Sequence, residues 1–291
     1  MLETPDRTRE MVKCFVARRA GVSILSLRSS MHRFDNYFEY QKELAQKVLV
    51  PYFESHRLDL DAKKVADVGC GEGGIEAGLV ERYPKASFTC FETNEKYLAK
   101  ARTMDIPNCQ FLAYSDLDQP QFANRFDLVI FREVIQSTIH PLQAMEKLKS
   151  LSKPGSLIHV AFPPYASPFG GNQHVARHSF IRFLPFVHLL PDSLFWPLLA
   201  DQKPDREGPG SFVAGFLDEL RAIRRTKISI RDFREICRRF NLTIASEECY
   251  FIRPAIAMRY GVPVIRNSLF GRVPGLREIT TSGALYLLKK D

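Results

Sequence analysis

The chain has 291 residues, 45% of them hydrophobic and 25% charged, with a formal net charge of +8 at pH 7. That length and balance give one sizeable buried core with room for a smaller appended module, and they exclude a disordered or fibrous chain. No apolar run reaches the roughly 18 residues of a membrane span, and the basic excess permits an acidic partner without establishing one.

Residues 1–60 read as a helical N-terminal segment. Within it, residues 11–33 hold several basic residues and no acids, faintly like an organelle presequence, but Glu3, Asp6 and Glu10 spoil that pattern. Residues 35–57 place Phe38, Leu44, Val48 and Leu49 at helical spacing, so an amphipathic helix is expected. Tyr37 or Tyr40 on it would either close over a ligand or pack on a sheet. From 64 to 162, short apolar strands alternate with helical stretches at 74–82, 94–103 and 141–152. That alternation implies right-handed crossovers and a parallel sheet. The first strand, Val65-Ala66-Asp67-Val68, runs into Gly69-Cys70-Gly71-Glu72-Gly73-Gly74. Such a turn stops the strand abruptly and brings bare backbone to a helix N-terminus, where a ligand can approach. The glycines alone would suit a pyrophosphate. The Asp67 carboxylate repels phosphate and suits a ligand bearing ammonium and sulfonium charge.

The second strand, residues 88–94, ends at Glu92-Thr93, about twenty residues after the glycines, where a carboxylate can accept both hydroxyls of a ribose. A third strand, 109–117, closes on Ser115-Asp116-Leu117, a fourth, 126–132, on Arg132, and Lys153-Pro154-Gly155 precedes a fifth at 156–162. In this order, over residues 60–165, the landmarks resemble the class I S-adenosylmethionine-dependent methyltransferases. The resemblance implies an α/β fold: a doubly wound, mostly parallel seven-stranded sheet with an antiparallel last strand. It implies S-adenosylmethionine as cofactor, held by Asp67, Gly69, Cys70, Gly71, Gly73, Glu92, Thr93, Ser115, Asp116, Leu117 and Arg132. In that family Glu92 would take the ribose and Asp116 the adenine amino group. One departure matters. Many relatives carry a Glu-His pair after the fourth strand, and here Gln136-Ser137 replaces it, so a catalytic role for that His is lost. His140 precedes Pro141 and reads as the start of a helix.

Residues 61–162 are thus expected to form the cofactor-binding half, 163–226 an inserted helical substrate cap, and 227–291 the completion of the sheet. The insert begins Pro163-Pro164-Tyr165-Ala166-Ser167-Pro168-Phe169-Gly170-Gly171-Asn172-Gln173-His174 and leaves the carboxyl end of the sheet, where open α/β sheets bind ligands. Methyl transfer is an in-line displacement that needs alignment, exclusion of water and, for a hydroxyl, a proton acceptor. His174, after a two-glycine hinge, is the first candidate base, since imidazole titrates near neutrality. Glu133 is the second. His178 and His188 rank behind them, and His159, in mid-strand, reads as structural. The apolar stretch from Phe180 to Trp196 fits a lid over a greasy acceptor, a homodimer contact, or packing on its own sheet.

In the C-terminal part, Ser229 caps a helix whose Ile230, Phe233, Cys237 and Phe240 face a core, with Arg231, Arg234, Arg238 and Arg239 opposite. Strands at 243–252 and 281–288 follow. Cys14, Cys70, Cys90, Cys109, Cys237 and Cys249 show no C-x-x-C and no metal spacing with His, so reduced thiols, no metal and a cytoplasmic location are expected. The function so read is methyl transfer to a small apolar or aromatic acceptor at oxygen. An RNA methyltransferase is one alternative, prompted by the +8 charge and the arginines of 221–239. It is opposed by the lack of an RNA-binding module. Phe162-Pro163-Pro164-Tyr165 also lacks the amide or acid donor that base amino-methylases use. A non-catalytic, cofactor-binding partner subunit is the other alternative, opposed by the intact glycine turn.

Overall fold

The computed structural model describes residues 36–173, 180–199 and 212–291. Strands β1 (Lys64–Val68), β2 (Ser87–Glu92), β3 (Cys109–Ala113), β4 (Phe126–Arg132) and β5 (Ser152–Phe162) pair in parallel. The C-terminal part adds β6 (Leu242–Ile252), β7 (Ile265–Arg266) and β8 (Gly283–Lys290), giving the order β3-β2-β1-β4-β5-β8-β6-β7. β8 runs antiparallel to both β5 and β6. The expected mostly parallel sheet with an antiparallel last strand is present, and the eighth strand is the two-residue β7 at its edge.

Helices cover both faces, as an all-buried parallel sheet requires. The first is α1 (Tyr37–Leu44), continued through a π-helical turn at Ala45–Leu49 into α2 (Val50–Ser55). α3 (Gly74–Arg82), α4 (Glu95–Thr103) and α5 (Pro141–Leu151) complete the crossovers. Strand alternation splits the core in two. On β2, Phe88 and Cys90 join Leu44, Leu49, Phe53 and Leu79 on one face, while Phe91 joins Phe131, Met145 and Val160 on the other. The N-terminal helix reading holds, with Phe38, Leu44, Val48 and Leu49 all buried.

After β5 the chain forms short helical turns, α6 (Asp192–Phe195) and α7 (Phe212–Thr226). Ile181, Val187, Phe195, Leu199 and Leu220 make a third, small core there, so part of the apolar content after β5 is consumed by its own packing. α8 (Ile230–Arg239) starts in a capping box between Ser229 and Asp232. It buries Ile230, Phe233, Ile236 and Cys237, whereas Phe240 is only partly covered. Its basic face is not wholly solvated, because Arg234 makes a two-pronged bond to Glu247 at 2.8 and 2.7 Å. α9 (Pro254–Tyr260) and α10 (Pro274–Thr280) link β6 to β8.

His159 on β5 is a core residue, as its mid-strand position suggests. It has no exposed surface, contacts the rings of Tyr52 and Phe53, and lies 3.2 Å through Nδ1 from the Tyr286 carbonyl. Burial, reinforced by Arg132, pushes its pKa down to about 3. The unfolded chain therefore takes up a proton near pH 6.5 that the folded chain refuses, and stability is lost as pH falls below that value. At pH 5 the loss is about 2 kcal/mol. In His159→Leu, urea unfolding at pH 7 and pH 5 should differ by about 2 kcal/mol less than in the wild type.

Candidate functional site

The carboxyl ends of β1, β2 and β4 converge on the glycine turn. Gly69 donates its N–H to the Phe91 carbonyl at 2.7 Å, and Gly71 donates to Glu92 Oε2 at 2.7 Å. The other Glu92 oxygen accepts from Asn94 N–H at 2.8 Å and from the Thr93 hydroxyl at 3.2 Å. This folding needs left-handed backbone, with φ +93° at Gly69 and +60° at Gly71. A Cβ on Gly69 would run into the Val134 side chain. A Cβ on Gly71 would meet nothing nearer than the Tyr37 ring at 3.8 Å, so that backbone faces open space beneath Tyr37.

Of the expected site residues, Asp67, Gly69, Cys70, Gly71, Gly73, Glu92 and Thr93 share this end of β1 and β2. Asp67 and Cys70 are buried, at 4% and 6% exposure. Burial pushes Asp67 up to about 6, against the pull of a hydrogen bond to Glu76 and of Arg132. The third strand is shorter than expected. It ends at Ala113, and Tyr114–Asp118 form a 3-10 turn that exposes Ser115, half-buries Asp116 and buries Leu117. Asp116 accepts from Gln119 Nε2 at 2.9 Å.

β4 ends at Arg132, whose Nη1 reaches Gln41 Oε1 at 3.4 Å, and Gln41 in turn donates to the Tyr37 hydroxyl. Glu133 follows with φ +57°, rare for a residue with a side chain and a frequent mark of functional turns. Its N–H is held by the Ala161 carbonyl at 2.7 Å. This turn carries Val134 onto Gly69 and sends the Glu133 carboxylate into an ion pair with Arg253.

The candidate base His174, with His178, lies outside the described residues. His188 is structural: it is fully buried, its Nε2 lies 2.6 Å from the Tyr165 carbonyl, and its own carbonyl accepts from the Tyr165 hydroxyl at 3.0 Å. The Gly170-Gly171 hinge is not borne out either. A Cβ at Gly170 would strike the Pro164 carbonyl and one at Gly171 the His188 side chain, so both glycines serve close packing.

Other residues at this end carried no motif. Glu219 on α7 accepts from Asn172 Nδ2 at 3.0 Å, and burial, with the nearby Glu133 carboxylate, pushes its pKa up. Gln136 has 1% exposure and meets no hydrogen-bond partner at either amide atom among the described residues. Its place after β4, where Gln136-Ser137 stands instead of a Glu-His pair, is what marks it in the sequence. Gln41, Glu219 and Arg253 lie in unremarkable helical or loop sequence.

Residues 59–175 match the family model described as a methyltransferase domain. The likeness to a methyltransferase domain covers this stretch. Among curated relatives, the trans-aconitate 2-methyltransferase of Escherichia coli O139:H28 (strain E24377A / ETEC) is 32% identical over 101 residues, 35% of this chain and 39% of that protein. The enzyme of the same description from Escherichia coli K12 / DH10B is 31% identical over 99 residues, 34% of this chain and 38% of that protein. The chain therefore matches about two-fifths of the length of these relatives. A SAM-dependent methyltransferase from Aquifex aeolicus superposes with TM-score 0.50 at 11% identity, covering 90% of this chain and 98% of that one. The plantazolicin methyltransferase BamL, in complex with a desmethylPZN analog and SAH, gives 0.50 at 12%, covering 91% and 89%. No helix among the described residues is long and apolar enough to cross a membrane.

The place of Tyr37 beside Gly71 depends on α1 lying close on α3. A Cβ on Gly78 would sit 2.5 Å from the Lys42 carbonyl. Alanine there would gain about 1 kcal/mol in helix propensity and lose about 1–3 kcal/mol to overpacking. Gly78→Ala should therefore lower the melting temperature in a thermal melt, although alanine normally strengthens a helix.

Proposed function

We propose that the protein transfers the methyl group of S-adenosylmethionine to an oxygen of a small acceptor. The observation that carries this reading is the glycine turn, with Asp67 beneath it, open backbone at Gly71 and Glu92 at its flank. These groups fit the cofactor. Asp67 would receive the ammonium of its methionine part, Glu92 the ribose hydroxyls and Asp116 the adenine amino group, with Tyr37 closing the open side. The bound cofactor supplies a methyl made electrophilic by the sulfonium.

The remaining work belongs to the chain, which must align the acceptor oxygen, exclude water and take up the proton. Residues 163–226 are read as the cap that does this. Phe180, Phe183 and Phe186 are exposed and would take an apolar acceptor body, while Arg253, Glu133 and Glu219 would take its polar, oxygen-bearing end. His174 stays the first candidate for the proton, because Asn172, two residues before it, is tied to Glu219. Glu133 is second, since its carboxylate is engaged by Arg253. The E. coli relatives, named for a small organic acid, support a small-molecule acceptor.

Titration calorimetry tests the cofactor. S-adenosylmethionine should bind, Gly71→Val should abolish binding by filling the backbone approach, and Glu92→Ala should weaken it by about 1–3 kcal/mol. Binding of NAD with none of S-adenosylmethionine would overturn the proposal. Once an acceptor is in hand, His174→Ala should cut turnover about 10²–10⁴-fold with cofactor affinity nearly unchanged. Turnover within about threefold of wild type would remove His174 from the reaction and turn attention to Glu133.

A further inference from the structure

Directly under the glycine turn lies a buried acid that the proposed reaction does not use. Glu76, in the first turn of α3, has no exposed surface, and neither of its oxygens meets an N–H or hydroxyl donor among the described residues. The Asp67 carboxyl lies within hydrogen-bonding reach of it. A bond between two carboxyl groups requires a proton between them, and two such groups in a dry site cannot both ionise.

The surroundings decide which of the two keeps it. Facing the pair are Arg132 from β4, Glu92 from β2 and the thiols of Cys70, Cys90 and Cys109. The single cation among these, Arg132, acts on Asp67. The N-terminus of α3 favours an anion at Glu76, but that effect is weaker than the desolvation of a fully buried carboxylate. Burial, together with the Asp67 charge, therefore pushes Glu76 well up, whereas Asp67 keeps 4% exposure at the cleft.

We propose that Glu76 is a positioning residue of the cofactor site, whose carboxyl O–H fixes the Asp67 carboxylate toward the cofactor's ammonium group. This rests on the cofactor reading above. It implies a particular pH dependence. With Asp67 pushed up to about 6, binding below that pH must first expel its proton, so affinity for the cofactor falls toward tenfold per pH unit as the solution is acidified.

Calorimetric titration of S-adenosylmethionine between pH 5 and 8, in buffers of different ionisation enthalpy, tests this. The wild type should release close to one proton at pH 5 and almost none at pH 7. Glu76→Gln keeps a donor and should bind within about threefold of wild type at pH 7.5. Glu76→Leu removes the donor, and should bind at least about tenfold more weakly while its melting temperature holds or rises, because a buried carboxyl has become apolar. Loss of affinity without loss of stability is what a purely structural role would not give. Glu76→Leu binding like wild type, or a pH-independent wild-type affinity, would overturn the role of Glu76 and leave the cofactor reading intact. Failure of the folded wild type to bind S-adenosylmethionine at any pH would overturn both.

Discussion

The Glu92 carboxylate accepts the Gly71 and Asn94 N–H groups at once, tying the ends of β1 and β2 together where both leave the sheet. With Gly69 bound to the Phe91 carbonyl, this fixes a turn whose backbone lies open on one side. The rest of the site is placed relative to it. Val134 packs on Gly69 because Glu133 adopts left-handed backbone, and α1 brings Tyr37 over Gly71 because α3 offers Gly74 and Gly78 to it. Each contact uses a small or strained residue where an ordinary one would hold the elements apart.

Beyond β4 the character of the molecule changes. Arg132, Glu133, Gln136, Asn172, Glu219 and Arg253 give this end of the sheet a concentration of buried or half-buried polar groups. Buried polar groups cost stability unless paired, and here Glu133 is matched with Arg253 and Glu219 with Asn172. The insert contributes to both sides of the balance. Its small core removes Ile181, Val187 and Phe195 from contact with any ligand, while Phe180 and Phe183 remain at the surface.

The half of the fold up to β5 was legible because its signals are local. The apolar runs, the glycine turn after Asp67 and the acid at the end of β2 each follow from a few adjacent residues. The end of β3 was misjudged by several residues. Tyr114–Asp118 is a 3-10 turn, and neither periodicity nor composition separates such a turn from a strand end. The opposite half depends on contacts across long sequence separations. Glu133 meets Arg253, and Asn172 meets Glu219, through folding that no spacing announces. Gly170-Gly171 misled for the same reason, since a glycine pair reads alike whether it frees a loop or lets His188 pack against it. Glu76 was hidden in an ordinary helical first turn, because the sequence does not show that it faces Asp67.

The site proposed for the cofactor is the turn from Gly69 to Gly73, with Glu92. Hydrogen exchange of the protein with and without S-adenosylmethionine addresses it at the level of single amides. The account predicts slower exchange on binding in the segments holding residues 69–74 and 92–95, with little change at the distant β6 and β7 edge. Protection confined to the insert or to that edge, with the glycine turn unaffected, would contradict it.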